Sequence, residues 1–232
     1  MDTKRTSFKE TVFRLPVVTI ALAVAACLIS ILPAVEQRLD FDRAAIGQGE
    51  LLRLFTGHFV HWNGDHLFWD ALMFVALGAV IEQRSRRALW QTIGWSAAAI
   101  SAGVWFAQPD VAVYRGLSGI DSALFTSIAA ATWLEARQRG QSYVALAALA
   151  TLAAFIAKIG WELATGTTLF VDAGLAGFTP LPLVHWIGGG VGIAAAWRWD
   201  RATRVLVHQS SCCGRGNSSA PGRGGWTWTC LR

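Results

Sequence analysis

Ser118 and His185 are the two side chains in this chain that could together act as a nucleophile and its base. A serine hydroxyl is a weak nucleophile until a neighbouring base accepts its proton. Imidazole is the base whose ordinary pKa lies nearest neutrality. Ser118 sits in Gly116-Leu117-Ser118-Gly119, and a helix starting there would present free backbone N–H groups to an oxyanion. His66 and Asp70, at i and i+4, project from one helix face, while Asp121 and Ser122 lie one turn beyond Ser118. His58, His61 and His66 are irregularly spaced and match no zinc pattern, so neither a metal nor another cofactor is expected. Lys158 and Glu162, at i and i+4, read as a structural ion pair.

The elements that must position these groups are apolar. Of 232 residues, 53% are hydrophobic and only 15% charged, with mean hydropathy +0.40. A soluble domain carries about 25% charged residues, so this composition points to lipid and excludes general disorder. Six stretches are expected to span a membrane: about Leu15–Leu32, Asp65–Ile81, Ala88–Ala107, Gly116–Leu134, Tyr143–Leu163 and Leu181–Trp199. With the N-terminus inside, fifteen Lys and Arg fall on the cytoplasmic side: four in residues 1–14, three in 84–87, Arg137 and Arg139, and six from Arg198 onward. Only Arg38, Arg43 and Arg53 fall opposite. That asymmetry follows the positive-inside rule, placing both termini in the cytoplasm of a multi-pass inner-membrane protein. The net charge of +5 is therefore topological, and no nucleic-acid partner is expected.

Residues 1–14 form a cytoplasmic N-terminus, 15–199 the membrane domain, and 200–232 a cytoplasmic tail. The Ser-, Gly- and Arg-rich tail reads as disordered from about Leu206. The outer loop, about 36–64, is too long for a simple connector, and its Leu51, Leu52, Leu54 and Phe55 suit an interfacial position. Four cysteines, three of them in the tail, are too few for a disulfide framework.

This topology assigns depth. The second, fourth and sixth stretches all enter from the outer side, carrying His66 and Asp70, Ser118 with Asp121 and Ser122, and His185. At 1.5 Å per residue these groups share a layer about 3–10 Å below the outer helix ends. Polar groups at membrane depth are costly and mark function. Gly116, Gly119 and Ala123 on one stretch, and Gly188, Gly189 and Gly192 on another, would let the two helices approach closely.

At these residues the chain resembles the rhomboid intramembrane serine proteases, over about Leu52 to Trp199. Leu52-Arg53 is similar to the family's Trp-Arg segment, with Leu in place of Trp. His61 corresponds to its loop histidine, and His66 with Asp70 to its His-x-x-x-Asn pair, with Asp in place of Asn. Gly116–Gly119 corresponds to the Gly-x-Ser-Gly box, and His185, Gly188 and Gly192 to the last-helix segment. The resemblance implies an all-α, six-helix rhomboid-like bundle and an intramembrane serine endopeptidase. Ser118 would be the nucleophile and His185 the base, with the Ser118 N–H and His66 binding the oxyanion. An ionised Asp70 cannot donate to an oxyanion; the alternatives are that it orients His66 or carries its own proton. Ser122 replaces the family's aromatic packing against the base. Asp121 would either orient His185 or pair with Arg115.

The compact form is similar to the rhombosortase branch. That resemblance implies membrane-anchored protein substrates bearing a C-terminal Gly-Gly, a transmembrane helix and a basic tail. The Gly- and Thr-containing loop Thr165–Pro180 and the fifth helix would gate access. The competing functions are an inactive rhomboid-like helix-binding protein and a small transporter using Asp121, Lys158 and Glu162 as an ion path.

Overall fold

A computed structural model describes residues 15–168 and 180–213. Its helices occupy the described parts of all six apolar stretches. They are α1 (Val17–Ser30), α5 (Gly64–Arg84), α6 (Arg86–Ala107), α7 (Ser118–Gln138), α8 (Ser142–Thr165) and α9 (Pro182–Cys213). By length and hydropathy, α5 and α8 each qualify as a membrane span. A third candidate joins α1 to α2 (Pro33–Leu39), but the pair is bent by 114°. Among the described residues, α6, α7 and α9 are not among these candidates. The physical reason is burial: α7 packs against α5, α6, α8 and α9, so neighbouring protein rather than lipid surrounds its Asp121, Ser122, Thr126 and Ser127. By contrast α8 exposes Leu146, Leu149, Ile156 and Leu163, an apolar surface suited to lipid.

Helix starts are set by side chains that accept orphan backbone N–H groups. Asn63 caps α5, its Oδ1 accepting from the His66 N–H at 2.9 Å, which sets where His66 falls on the first turn. Ser85 ends α5 in an extended conformation and caps α6 through the Ala88 N–H, making a one-residue reversal. Two other caps come from α5 itself. Near its C-terminal end Glu82 accepts from the Val18 and Thr19 N–H groups (3.1 and 2.8 Å) at the start of α1. Nearly two turns from its N-terminal end, Asp70 does the same for α7, described below. A carboxylate at a helix N-terminus satisfies donors and complements the macrodipole together.

The outer loop is ordered rather than slack. It carries α2, a two-residue strand β1 (Phe41–Asp42), α3 (Arg43–Gly47), α4 (Arg53–Thr56) and a 3-10 turn over Gly57–Phe59. Strand β1 pairs antiparallel with β2 (Val113–Tyr114), with Phe41 opposite Tyr114. Arg43 donates to the carbonyls of Val104, Trp105, Gln108 and Val111 at 2.8–3.0 Å, closing the C-terminal end of α6. Arg53 is buried, its guanidinium bonded to Asp40 (2.8 Å) and Glu50 (2.6 Å). Of the loop's apolar residues, Leu51, Leu52 and Phe55 are exposed. Helix α9 continues to Cys213, into the segment expected to be tail. Residues 1–14, 214–232 and most of the expected gate (169–179) lie outside the described residues.

Candidate active site

Ser118 is the first residue of α7, half-buried, and its side chain lines a cavity of about 790 Å³. His66, Asp70, Asp121, Ser122 and His185 line the same cavity. Ser122 Oγ donates back to the Ser118 carbonyl at 2.8 Å, the usual fate of a helical serine. The Ser118 hydroxyl, in contrast, makes no hydrogen bond among the described residues.

The helices that bring Ser118 and His185 together meet through small residues. A Cβ placed at Gly188 would strike the Gly119 carbonyl, and one at Gly192 the Ala123 carbonyl. Gly119 itself faces Ile100 Cδ1 and the Val184 carbonyl. Close backbone approach therefore requires glycine on α9. Gly116 is constrained twice: its φ is +124°, and a Cβ there would lie 2.8 Å from His66 Cε1 and 3.2 Å from Asp70 Oδ2. Tyr114 donates its hydroxyl to the Gly116 carbonyl at 3.2 Å. Burial, then the nearby Asp70 and Asp121 carboxylates, push that phenol up, keeping it a neutral donor.

Asp70 Oδ2 accepts the backbone N–H groups of Leu117 (2.8 Å) and Ser118 (3.1 Å). The same oxygen lies 3.3 Å from Nε2 of both His61 and His66, whose rings meet edge to face at 5.2 Å. The carboxylate thus covers the N–H that was expected to serve an oxyanion. It lies beside His66 and is the trans cap of α7. Helix α7 has no side-chain cap of its own.

His185, 7% exposed, stands in the first turn of α9. Its Nδ1 is 2.9 Å from Glu162 Oε2 and 3.2 Å from Lys158 Nζ. Lys158 and Glu162 form the expected ion pair at 2.7 Å. The pair is nonetheless more than structural filler, because both members reach the imidazole. No hydrogen bond joins Ser118 to His185 in this structure, so the direct contact expected of them is replaced by a shared cavity. Asp121 takes neither expected role. Arg115 pairs with Asp40 at 2.8 Å and stacks over Trp62, while the buried Asp121 Oδ1 makes no hydrogen bond.

Glu162 is the residue that sequence reasoning undervalued. Its signal was present as a carboxylate placed in an otherwise apolar stretch, where such groups are costly. His58 lies apart from the cavity lining, its Nε2 3.2 Å from the Ala97 carbonyl and 3.1 Å from Ser101 Oγ.

No curated protein matches this chain. A family model does: residues 48–198, more than half of the chain, match the Rhomboid domain. That match spans α4 through most of the described side chains of α9, and includes every group lining the cavity around Ser118. The chain belongs to the rhomboid family.

Proposed function

We infer that this protein is an intramembrane serine endopeptidase that uses Ser118 and His185. The observation that carries this reading is the cavity: an unbonded serine hydroxyl and a buried imidazole face one space, with the Leu117 and Ser118 N–H groups at the helix start beside them. Hydrolysis within a bilayer needs a protein-lined polar cavity, because lipid cannot stabilise water or charge. In the reaction, His185 takes the Ser118 proton as Oγ bonds to the substrate carbonyl carbon. The resulting oxyanion is stabilised by the Ser118 N–H, once Asp70 yields it, and by His66. The imidazolium then protonates the leaving amine as the C–N bond breaks, and water hydrolyses the acyl-enzyme.

The substrates on this reading are membrane-anchored proteins cut near the outer boundary of an inner membrane. Rhombosortase-like specificity for a Gly-Gly motif ahead of a transmembrane helix and basic tail belongs to the same proposal. So do the six crossings and the cytoplasmic termini, which the Lys and Arg distribution supports. Purified protein in liposomes with a transmembrane substrate tests it. Ser118→Ala and His185→Ala each abolish cleavage while inserting normally, and a fluorophosphonate probe labels Ser118. Cleavage by Ser118→Ala overturns the mechanism.

A second reading, a helix-binding family member without catalysis, is favoured by one observation: an acidic group already covers the Ser118 N–H. Failure of the probe to label the folded protein would favour it.

A further inference from the structure

We propose that Glu162 is a positioning residue that completes a Ser118–His185–Glu162 triad, with Lys158 as its charge partner. This rests on the protease reading above. A histidine base must keep its lone pair on the nitrogen facing the nucleophile, so its other nitrogen must carry the proton. Two neighbours compete for His185 Nδ1. Glu162 Oε2, at 2.9 Å, can only accept, and so requires Nδ1–H with the lone pair on Nε2. Lys158 Nζ, at 3.2 Å, can only donate, and so favours the opposite tautomer, which leaves Nε2 protonated and unable to act as base.

The geometry points to Glu162. Its contact is shorter, and its carboxylate is 2% exposed, its charge-bearing oxygens shared between His185 and Lys158. Lys158 Nζ lies closer to Glu162 Oε1, at 2.7 Å, than to the ring. The ammonium thus neutralises the carboxylate without claiming Nδ1. When His185 accepts the Ser118 proton on Nε2, the new positive charge forms beside a fixed anion. No proton passes to Glu162, and the same proton returns through Nε2 to the leaving amine. The other titratable or charged groups around this cavity include Asp121 from α7, His66 and Asp70 from α5, and Asp110 and Arg115 from the loop before α7. None of them bonds to His185.

A structural ion pair and a positioning carboxylate make different predictions when the pair is broken from each side. Glu162→Ala leaves Lys158 to donate to Nδ1, imposing the unproductive tautomer. Lys158→Met leaves the Glu162–His185 bond in place. In liposome cleavage assays, Glu162→Ala lowers kcat by about 10²–10⁴-fold with KM little changed, whereas Lys158→Met loses at least tenfold less. Glu162→Gln keeps an acceptor of the same shape without the charge, and its kcat falls between wild type and Glu162→Ala. In wild type, 15N spectra of labelled histidine place the His185 proton on Nδ1.

Equal losses from Lys158→Met and Glu162→Ala, or wild-type kcat in Glu162→Gln, overturn the triad. So does a neutral His185 protonated at Nε2. Should Glu162→Ala fail to fold, Glu162→Gln and the spectra still decide. The two readings fail separately: cleavage by Ser118→Ala removes the protease itself, whereas an inert Ser118→Ala beside a fully active Glu162→Gln removes only the triad.

Discussion

Asp70 has two jobs in this structure that a single substitution can separate. It caps α7 through the Leu117 and Ser118 N–H groups, and it places a carboxylate where the proposed mechanism forms its oxyanion. A hydrogen bond to a charged acceptor contributes about 1.5–3 kcal/mol, so the two set a ceiling of about 3–6 kcal/mol. Water from the cavity can replace the acceptor at half-buried Ser118, but Leu117 is fully buried. Asp70→Ala is therefore expected to cost about 3 kcal/mol, lowering Tm by about 6–12 °C in a chain of this size. Asp70→Asn retains a carbonyl oxygen for the cap and loses about half as much. Its amide can also donate to the oxyanion, so its kcat equals or exceeds that of wild type. Thermal unfolding in detergent, followed by intrinsic tryptophan fluorescence, reads the first effect, and liposome cleavage reads the second. A Tm for Asp70→Ala within 2 °C of wild type, or Asp70→Asn no better than Asp70→Ala in both assays, refutes the reasoning.

Gly188→Ala forces α9 off the Gly119 carbonyl and is expected to destabilise by about 1–3 kcal/mol with loss of cleavage. Gly190→Ala, where an added Cβ meets nothing within 4 Å, is neutral or stabilising by up to about 1 kcal/mol; thermal scans of the two variants check the contrast. Gly116→Ala strains a +124° φ and presses on His66 and Asp70, so cleavage falls by roughly 10²-fold, measured beside Ser118 labelling. Burial, opposed by hydrogen bonds to the backbone, lowers the pKa of His58 from 6.5 to about 4. Because the fold favours the neutral ring, this stabilisation is complete above pH 6.5. It is lost as pH falls toward 4, by up to about 3 kcal/mol. His58→Gln should flatten the pH dependence of Tm in that window, and an unchanged slope would sink the assignment.

Much of the architecture could be read directly from residue order. The apolar stretches became helices because their length, and the absence of proline beyond the first turn of each, leave few other ways to satisfy the backbone in lipid. Asn63 before His66 and Ser85 before Ala88 are local caps, decided within four residues. The glycines facing each other across α7 and α9 were likewise recognisable, since small residues at helical spacing mark close packing. Less visible was which helices lipid would touch. The polar face of α7 looked like membrane depth in one dimension and proved to be the protein interior in three.

The amino-acid order alone determined the helical stretches, the Lys and Arg asymmetry, and the motif spacing that places Ser118, His66 and His185 on separate helices. These depend on neighbours a few residues apart and on hydropathy, which are properties of a segment. Only the tertiary structure decided the partners: Asp70 with the start of α7, 47 and 48 residues away, and Glu162 rather than Asp121 beside His185, 23 residues away. A hydrogen bond is won or lost over about half an ångström, and at such separations that distance is set by how helices rotate and pack against one another.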